Sequence, residues 1–337
     1  MQVIEVRNVH DALIRGLDTL NSVLSVESSS RNGKVYEAIT PVTTVFKNPA
    51  ERVLFWEERD ANPFFHFMEG LWMLDGREDL EFVQIYNQKM KDYSDDGVTL
   101  HGAYGWRWRN YFYFDQLPII AERLKKDHTD RRCVLQIWDS IQDLGRNGKD
   151  VPCNTSIYFK INYKGALQMT VSNRSNDIIW GAYGANAVHM SMLQEFMASY
   201  VGVPIGEYYQ ISDNYHAYKE VYDELIQKFL KRDALDFYGQ QLLIKYNPYT
   251  REEVSPYPMI NTNVKKWGKN LYDFLYRTPF EDMTFEDPFF NDVAVPIQDS
   301  WYLHKEGRTD EAMIEIQNCK ATDWSKACWE WFKRRLV

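Results

Sequence analysis

Between Ser156 and Ser172 the chain alternates with a period of two. Ile157, Phe159 and Ile161 are apolar against Ser156, Tyr158, Lys160 and Asn162. Beyond Lys164-Gly165, Leu167, Met169 and Val171 alternate with Gln168, Thr170 and Ser172. Two such runs around a glycine-containing turn predict a β-hairpin. Folding it about Tyr163–Lys164 pairs positions whose numbers sum to roughly 327, which puts Cys153 beside Arg174 at the open end. A guanidinium beside a thiol favours the nucleophilic thiolate. The pair also has a bland reading, because an isolated cysteine is usually a small core residue and an isolated arginine a solvated one.

The rest of the chain mixes both periods. Residues 35–47 read as extended, with Val35, Ile39, Val42, Val45 and Phe46 in a β-branched context. Residues 62–75, NPFFHFMEGLWMLD, predict a buried helix carrying a single acid, Glu69. A short amphipathic helix over 117–127 and a strand over Cys133–Trp138 precede the hairpin. A helix over 187–201 follows it, with Leu193, Phe196, Met197 and Tyr200 at helical spacing. Then come a strand over 205–211 and a helix over 217–231. Segment 246–300, rich in Pro, Asp and aromatics, shows little pattern. The final stretch returns to helix, with Asp323 as the expected cap before WSKACWEWFKRR. These elements predict an α+β protein, with one domain over residues 1–240 and a divergent helical extension over 241–337 packed on it.

Composition narrows the partners. The sequence has no run near the ~18 apolar residues a membrane span needs. Charges scatter through the first residues in place of an apolar leader. Cys133, Cys153, Cys319 and Cys328 form no CxxC pair, as expected in a reducing cytoplasm. No histidine stands at metal-ligand spacing, so no metal is expected. A net charge of −9 argues against nucleic acid but leaves room for a small anion gripped by a few arginines. Lys333-Arg334-Arg335 reads as a basic helix C-terminus. The glycines of GAYGAN (Gly181–Asn186) lack the spacing of a dinucleotide-binding loop.

Polar groups recur where a core of sheet and helix is ordinarily apolar. Arg131-Arg132 precedes the strand CVLQIW, and Arg174-Ser175-Asn176-Asp177 follows the hairpin. Asn186 opens the next helix, and Asp213-Asn214-Tyr215-His216-Ala217-Tyr218 follows a strand. Upstream lie EGLWMLDG (Glu69–Gly76), HGAYGWRWR (His101–Arg109) and Arg31-Asn32-Gly33. Taken in order, with Pro152-Cys153, these segments resemble the thymidylate synthase family, which includes the pyrimidine nucleotide hydroxymethylases. The resemblance covers about residues 28–220 and rests on an ordered set of motifs.

The resemblance implies a large mixed sheet with flanking helices and a specific chemistry. A thiolate, Cys153, adds to carbon 6 of a pyrimidine nucleotide and makes carbon 5 a nucleophile toward 5,10-methylenetetrahydrofolate. Arg174 and Ser175 would hold the 5′-phosphate, and Arg31 would close over it. Arg131 and Arg132 would reach across from the partner subunit of a homodimer. His216 and Tyr218 would bind the sugar 3′-hydroxyl, Asp177 the pterin, and Asn186 the base edge. Glu69 would organise water and protons, with Tyr104 positioned near the thiol. For Glu69 and Tyr104, a partnered structural acid and a satisfied core phenol are the alternatives.

Three departures bear on the product. Asn154 follows the cysteine where thymidylate synthases typically carry His, and GAYGAN is one residue longer than usual. IYNQKMKDYSDDG replaces a tryptophan-bearing wall, which should admit water to the intermediate. Hydroxymethylation of dUMP is therefore favoured. Methylation to dTMP, a cytosine nucleotide substrate, and a catalytically silent nucleotide-binding relative stay open. A cysteine hydrolase has no separate histidine to support it.

Overall fold

The computed structural model describes residues 1–232 and 247–336. Its centre is an eight-stranded mixed sheet. The strands are β1 (Gln2–Val6), β2 (Ser25–Ser30), β3 (Gly33–Ala38), β4 (Val42–Phe46), β5 (Val134–Gln136), β6 (Asn154–Ile161), β7 (Leu167–Asp177) and β8 (Ile205–Tyr218). They run in the order β1-β4-β8-β7-β6-β5, with β3 also paired to the far end of β8 and β2 to β3. The β1–β4 and β7–β8 pairs are parallel, and the rest are antiparallel. A parallel pair needs a long crossover, and between β7 and β8 that crossover carries the helix Asn186–Val201.

The helices are α1 (Val9–Leu20), α2 (Pro63–Leu74), α3 (Leu80–Tyr86), α4 (Tyr104–Arg109), α5 (Gln116–Lys126), α6 (Ser140–Asp143), α7 (Asn186–Val201) and α8 (Lys219–Arg232). Beyond the undescribed stretch come α9 (Val264–Leu275), α10 (Val295–Lys305), α11 (Thr309–Glu315) and α12 (Thr322–Lys333). Every residue of α2 is buried, as an all-round apolar helix requires. Asn62 caps it by accepting from the Phe65 amide at 3.1 Å, and Pro63 opens its first turn.

The C-terminal residues brace α2 and α7. Phe64 of α2 packs against Trp301, Trp331 and Phe332, and Phe67 against Phe289 and Trp324. Trp267 of α9 meets Phe196 of α7. Glu195 of α7, buried, pairs with Arg52 and accepts from the Met259 amide at 2.6 Å. The expected domain boundary at 240/241 itself lies outside the described residues.

Several sequence expectations shift. The hairpin body pairs positions summing to 328 (Ile157 with Val171, 157 + 171; Phe159 with Met169, 159 + 169). A bulge between Asn154 and Ser156 then moves the register, so that Asn154 pairs with Asn173. The Arg174 amide accordingly donates to the Cys153 carbonyl at 3.0 Å. The expected neighbours meet because of the bulge, around a turn where Gly165 takes φ +77°. The strand expected over 205–211 continues to Tyr218, and β7 extends to Asp177, so both polar motifs lie on strands. Asp323 sits inside the first turn of α12, where Ala321 holds the cap position. Its buried carboxylate accepts from the Tyr249 hydroxyl at 2.9 Å and the Trp324 amide at 2.8 Å. Arg334 and Arg335, past the end of α12, both pair with Asp60.

Candidate active site

Strand register assembles one half of the site. Because β7 and β8 are parallel, Ser175 lies beside Asn214 and Asp177 beside His216. Glu37 of β3 flanks His216 from the other side. Tyr218, at the end of β8, accepts from Asn32 Nδ2 at 3.3 Å in the β2–β3 turn. That turn also carries Arg31, whose Nη1 reaches the Gly148 carbonyl at 3.3 Å. At the hairpin mouth, Arg174 donates from Nε to the Pro152 carbonyl at 3.0 Å and from Nη2 to the Val151 carbonyl at 2.9 Å. Its Nη2 lies 3.9 Å from Cys153 Sγ. These bonds hold the guanidinium rigidly against the loop that presents the thiol.

The thiol corrects the expectation of a ready thiolate. Burial pushes the Cys153 thiol above its ordinary value. Arg174 and, more weakly, Arg31 pull it down, while Asp150 and Asp177 push it up. Desolvation of the charged form wins over one nearby guanidinium whose donors are engaged by carbonyls. Tyr104, at the start of α4, stands at the same spot, with the Asn154 and Cys153 amides facing its hydroxyl. Burial keeps that hydroxyl well above its ordinary value. Gly105 permits the approach of α4 to α2, since a Cβ there would meet the Met73 carbonyl oxygen at 2.0 Å.

Helices supply the other half. Asp177 Oδ1 accepts from the Ile179 and Trp180 amides at 2.9 and 2.6 Å, while its Oδ2 is buried without a partner. Residues Ile178–Ala185 then form a π-helical turn, with Tyr183 and Gly184 departing from helical φ/ψ. That break separates the turn from α7, at whose start Asn186 stands. Asn186 Nδ2 donates to Asn176 Oδ1 at 3.3 Å. Glu69 of α2 is buried, with Oε2 3.1 Å from His189 Nε2 of α7.

Arg131 and Arg132 join neither half. Both are exposed beside the edge strand β5, and Arg132 pairs with Asp130 at 3.0 Å. Other residues arrive that sequence reasoning missed. Asp150 accepts from the Gly102 amide at 2.7 Å, and burial raises its carboxyl above the usual range. Arg59 lies 4.1 Å over the Trp180 ring and donates to the Ile179 carbonyl at 2.8 Å; burial lowers it to about 10. Asn154 is fully buried, with neither amide atom partnered. A spacing signal existed for His189, which follows Asn186 by one helical turn and shares its face. Among the described residues no group of three or more His, Cys, Asp or Glu side chains converges as a metal site. No described helix is long and apolar enough to cross a membrane.

A thiol beside an arginine, a parallel strand pair carrying polar side chains and a glutamate on an apolar helix are the features that the family resemblance expects of an enzyme of pyrimidine one-carbon transfer. The thymidylate synthase family model matches residues 27–266, and the chain belongs to that family. It is 49% identical to a deoxyuridylate hydroxymethyltransferase of Pseudomonas phage M6, over 99% of this chain and 95% of the relative. It is 35% identical to a deoxyuridylate hydroxymethyltransferase of Bacillus phage SP01, over 77% of this chain and 70% of that relative. A putative thymidylate synthase of Methanosarcina acetivorans is 25% identical over 68% of this chain and 95% of its own length. The M6 relative therefore also spans the C-terminal residues.

Proposed function

We propose that the protein converts dUMP to 5-hydroxymethyl-dUMP. The observation that carries this reading is the near full-length similarity to a relative named for the reaction, on a chain that keeps Cys153 beside Arg174. 5,10-methylenetetrahydrofolate supplies the one-carbon unit at the oxidation level of formaldehyde. Arg174, Ser175 and Arg31 receive the 5′-phosphate, and bidentate arginine–phosphate geometry suits the first and last. His216 and Tyr218 take the sugar 3′-hydroxyl. Asp177, with its open Oδ2, takes the pterin. Asn186, whose Nδ2 leans on Asn176, turns its carbonyl oxygen to the base as acceptor for the uracil N3–H.

Cys153 Sγ adds to carbon 6, and the enolate at carbon 5 takes the one-carbon unit. Because burial raises the thiol, the proton leaves as the phosphate and base enter, with Arg174 stabilising the charge that develops. Glu69 handles the proton lost from carbon 5 and the incoming water. Arg131 and Arg132 complete the site of a second copy. Supporting this, exposed Val134 and Tyr158 sit opposite each other on β5 and β6, next to the two arginines.

Incubation with dUMP or dCMP and methylenetetrahydrofolate tests the reading by product mass and folate state. Gain of CH2O on dUMP with tetrahydrofolate released is expected. Gain of CH2 with dihydrofolate formed means methylation, and product from dCMP alone means a cytosine enzyme. Mixing inactive Cys153→Ser with an Arg131→Ala/Arg132→Ala variant tests the shared site. Activity regained by subunit exchange is expected, and none sinks the dimer assignment.

A further inference from the structure

Beside Glu69, one buried polar spot includes His189, which the family resemblance does not assign, and lacks the partners such groups normally have. Glu69 and His189 are 7 and 2% exposed. Glu69 Oε2 and His189 Nε2 lie 3.1 Å apart without the alignment of a hydrogen bond. Both atoms and His189 Nδ1 are buried without a hydrogen-bond partner. Buried polar groups are nearly always satisfied, and several open polar atoms at one place suit an ordered water with two to four partners. His66, one turn before Glu69 on α2, sits near the pair. Burial, Arg59 and His189 all push it well below its ordinary value, so it stays a neutral imidazole.

The pair faces the chemistry from both of its helices. Along α7, His189 follows Asn186, which touches Asn176 two residues beyond Arg174. Along α2, Glu69 stands one turn before Met73, where the close contact with Gly105 sets Tyr104 next to Cys153. His189 thus lies one turn along α7 from Asn186 and 3.1 Å from the acid.

We propose that His189 is the positioning partner of Glu69, that together they hold and deprotonate the water which attacks the transferred one-carbon group, and that this pair commits the enzyme to a hydroxymethyl product. The proposal rests on the dUMP reading above. Once carbon 5 has taken the one-carbon unit, Glu69 takes the carbon 5 proton and hands it to N5 of the departing tetrahydrofolate as the bond from N5 to the one-carbon unit breaks. Glu69 is then a carboxylate again, and the nucleotide carries an exocyclic methylene conjugated with the carbon 4 carbonyl, with Sγ on carbon 6. The water oxygen bonds to the methylene carbon, and the displaced π pair moves onto the ring as the enolate. One water proton passes to Glu69 and on to His189 Nε2. The enolate then re-forms the carbon 5–carbon 6 double bond and expels Sγ, which takes the proton back from the pair. No hydride or oxidant enters, in contrast to methyl formation.

The test uses the full chain with His189→Gln, a neutral side chain that can hydrogen-bond but cannot accept the proton. Hydroxymethyl-dUMP formation should fall by about 100-fold or more, with the KM for dUMP within about threefold of wild type. The folate-dependent adduct of Cys153 with 5-fluoro-dUMP, read by intact mass, should form at the wild-type rate, because it precedes water attack. Added 2-mercaptoethanol, whose thiolate needs no base, should intercept the methylene as a thioether in the variant. Equal losses in adduct and product formation would reduce His189 to a structural role and overturn the proposal, as would unchanged turnover. If His189→Gln melts early, His189→Asn gives the same readouts with a smaller side chain. Wild-type protein inert toward dUMP overturns the dUMP reading together with this one, whereas an active wild type with a normal variant overturns this one alone.

Discussion

The two halves of the site are built by different physics. The strand half, with Cys153, Arg174, Ser175, Asp177, His216 and Tyr218, is positioned by ladder register between β6, β7 and β8. The helix half, with Glu69, Asn186 and His189, hangs on two enclosed helices that touch through side chains alone and are braced by aromatics from the C-terminal hundred residues. Register repeats every two residues, so a paired ladder places side chains along it, with the bulge at β6 supplying the one-residue shift that brings Cys153 to Arg174. Helix packing is decided by the sum of many contacts distant in sequence. The strand half is suited to gripping a nucleotide, and the helix half to moving protons and water.

Mutations can break that division, and the largest effect belongs to the nucleophile. Cys153→Ser should lower turnover by on the order of 10⁴-fold or more while dUMP affinity by calorimetry holds within about threefold. Glu69→Gln comes next, with kcat down by roughly 10²–10⁴-fold and nucleotide affinity little changed. An equal loss of affinity would mean that the helix half binds as well as reacts. Arg174→Lys acts in the opposite sense. If the fork also holds the phosphate as proposed, losing it should raise the KM for dUMP by about 10–100-fold with a smaller change in kcat.

Smaller effects sharpen the electrostatics of each half. Since burial raises the Cys153 thiol above its ordinary 9.0, alkylation of the free enzyme by iodoacetamide should keep climbing past pH 9. A plateau near neutrality would show that Arg174 dominates after all. On the bracing side, burial pushes the Asp323 carboxyl from 3.8 to about 6. The folded state then binds its proton more tightly than the unfolded chain. Stability from this group is present below about pH 4 and is lost as pH rises to about 6, by at most about 3 kcal/mol. Asp323→Asn keeps an acceptor for Tyr249 and should flatten urea-unfolding stability across that window, with dUMP affinity unaltered.

What could be read from the residues follows the same line. The hairpin, the polar motifs on β7 and β8, and the buried helix with one acid all show in period and spacing. The bulge at Thr155 does not, because nothing in an alternating run says which residue will be left unpaired; it corrects a register that would otherwise miss Arg174 by one. Nor does the state of the thiol, which depends on how deeply folding encloses Cys153 relative to the pull of Arg174. Asp323 looked like a cap from its place before an apolar run, but the helix begins two residues sooner, with Ala321 as cap, and the acid turns inward to Tyr249. Segment 246–300 resisted reading because its order comes from partners far away, such as Glu195 on the Met259 amide and Asn270 on the Asp287 amide.

The amino-acid sequence alone determined the family and brought Cys153 and Arg174 to one end of a hairpin, because ordered motifs and two-residue periodicity are written in neighbouring residues. Only the folded molecule decided that Glu69 meets His189, that the chain breaks helical geometry at Tyr183 and Gly184 before α7, and that aromatics from the C-terminal part of the chain pack on both helices. Those outcomes depend on burial and on contacts across more than a hundred residues, which no local pattern encodes.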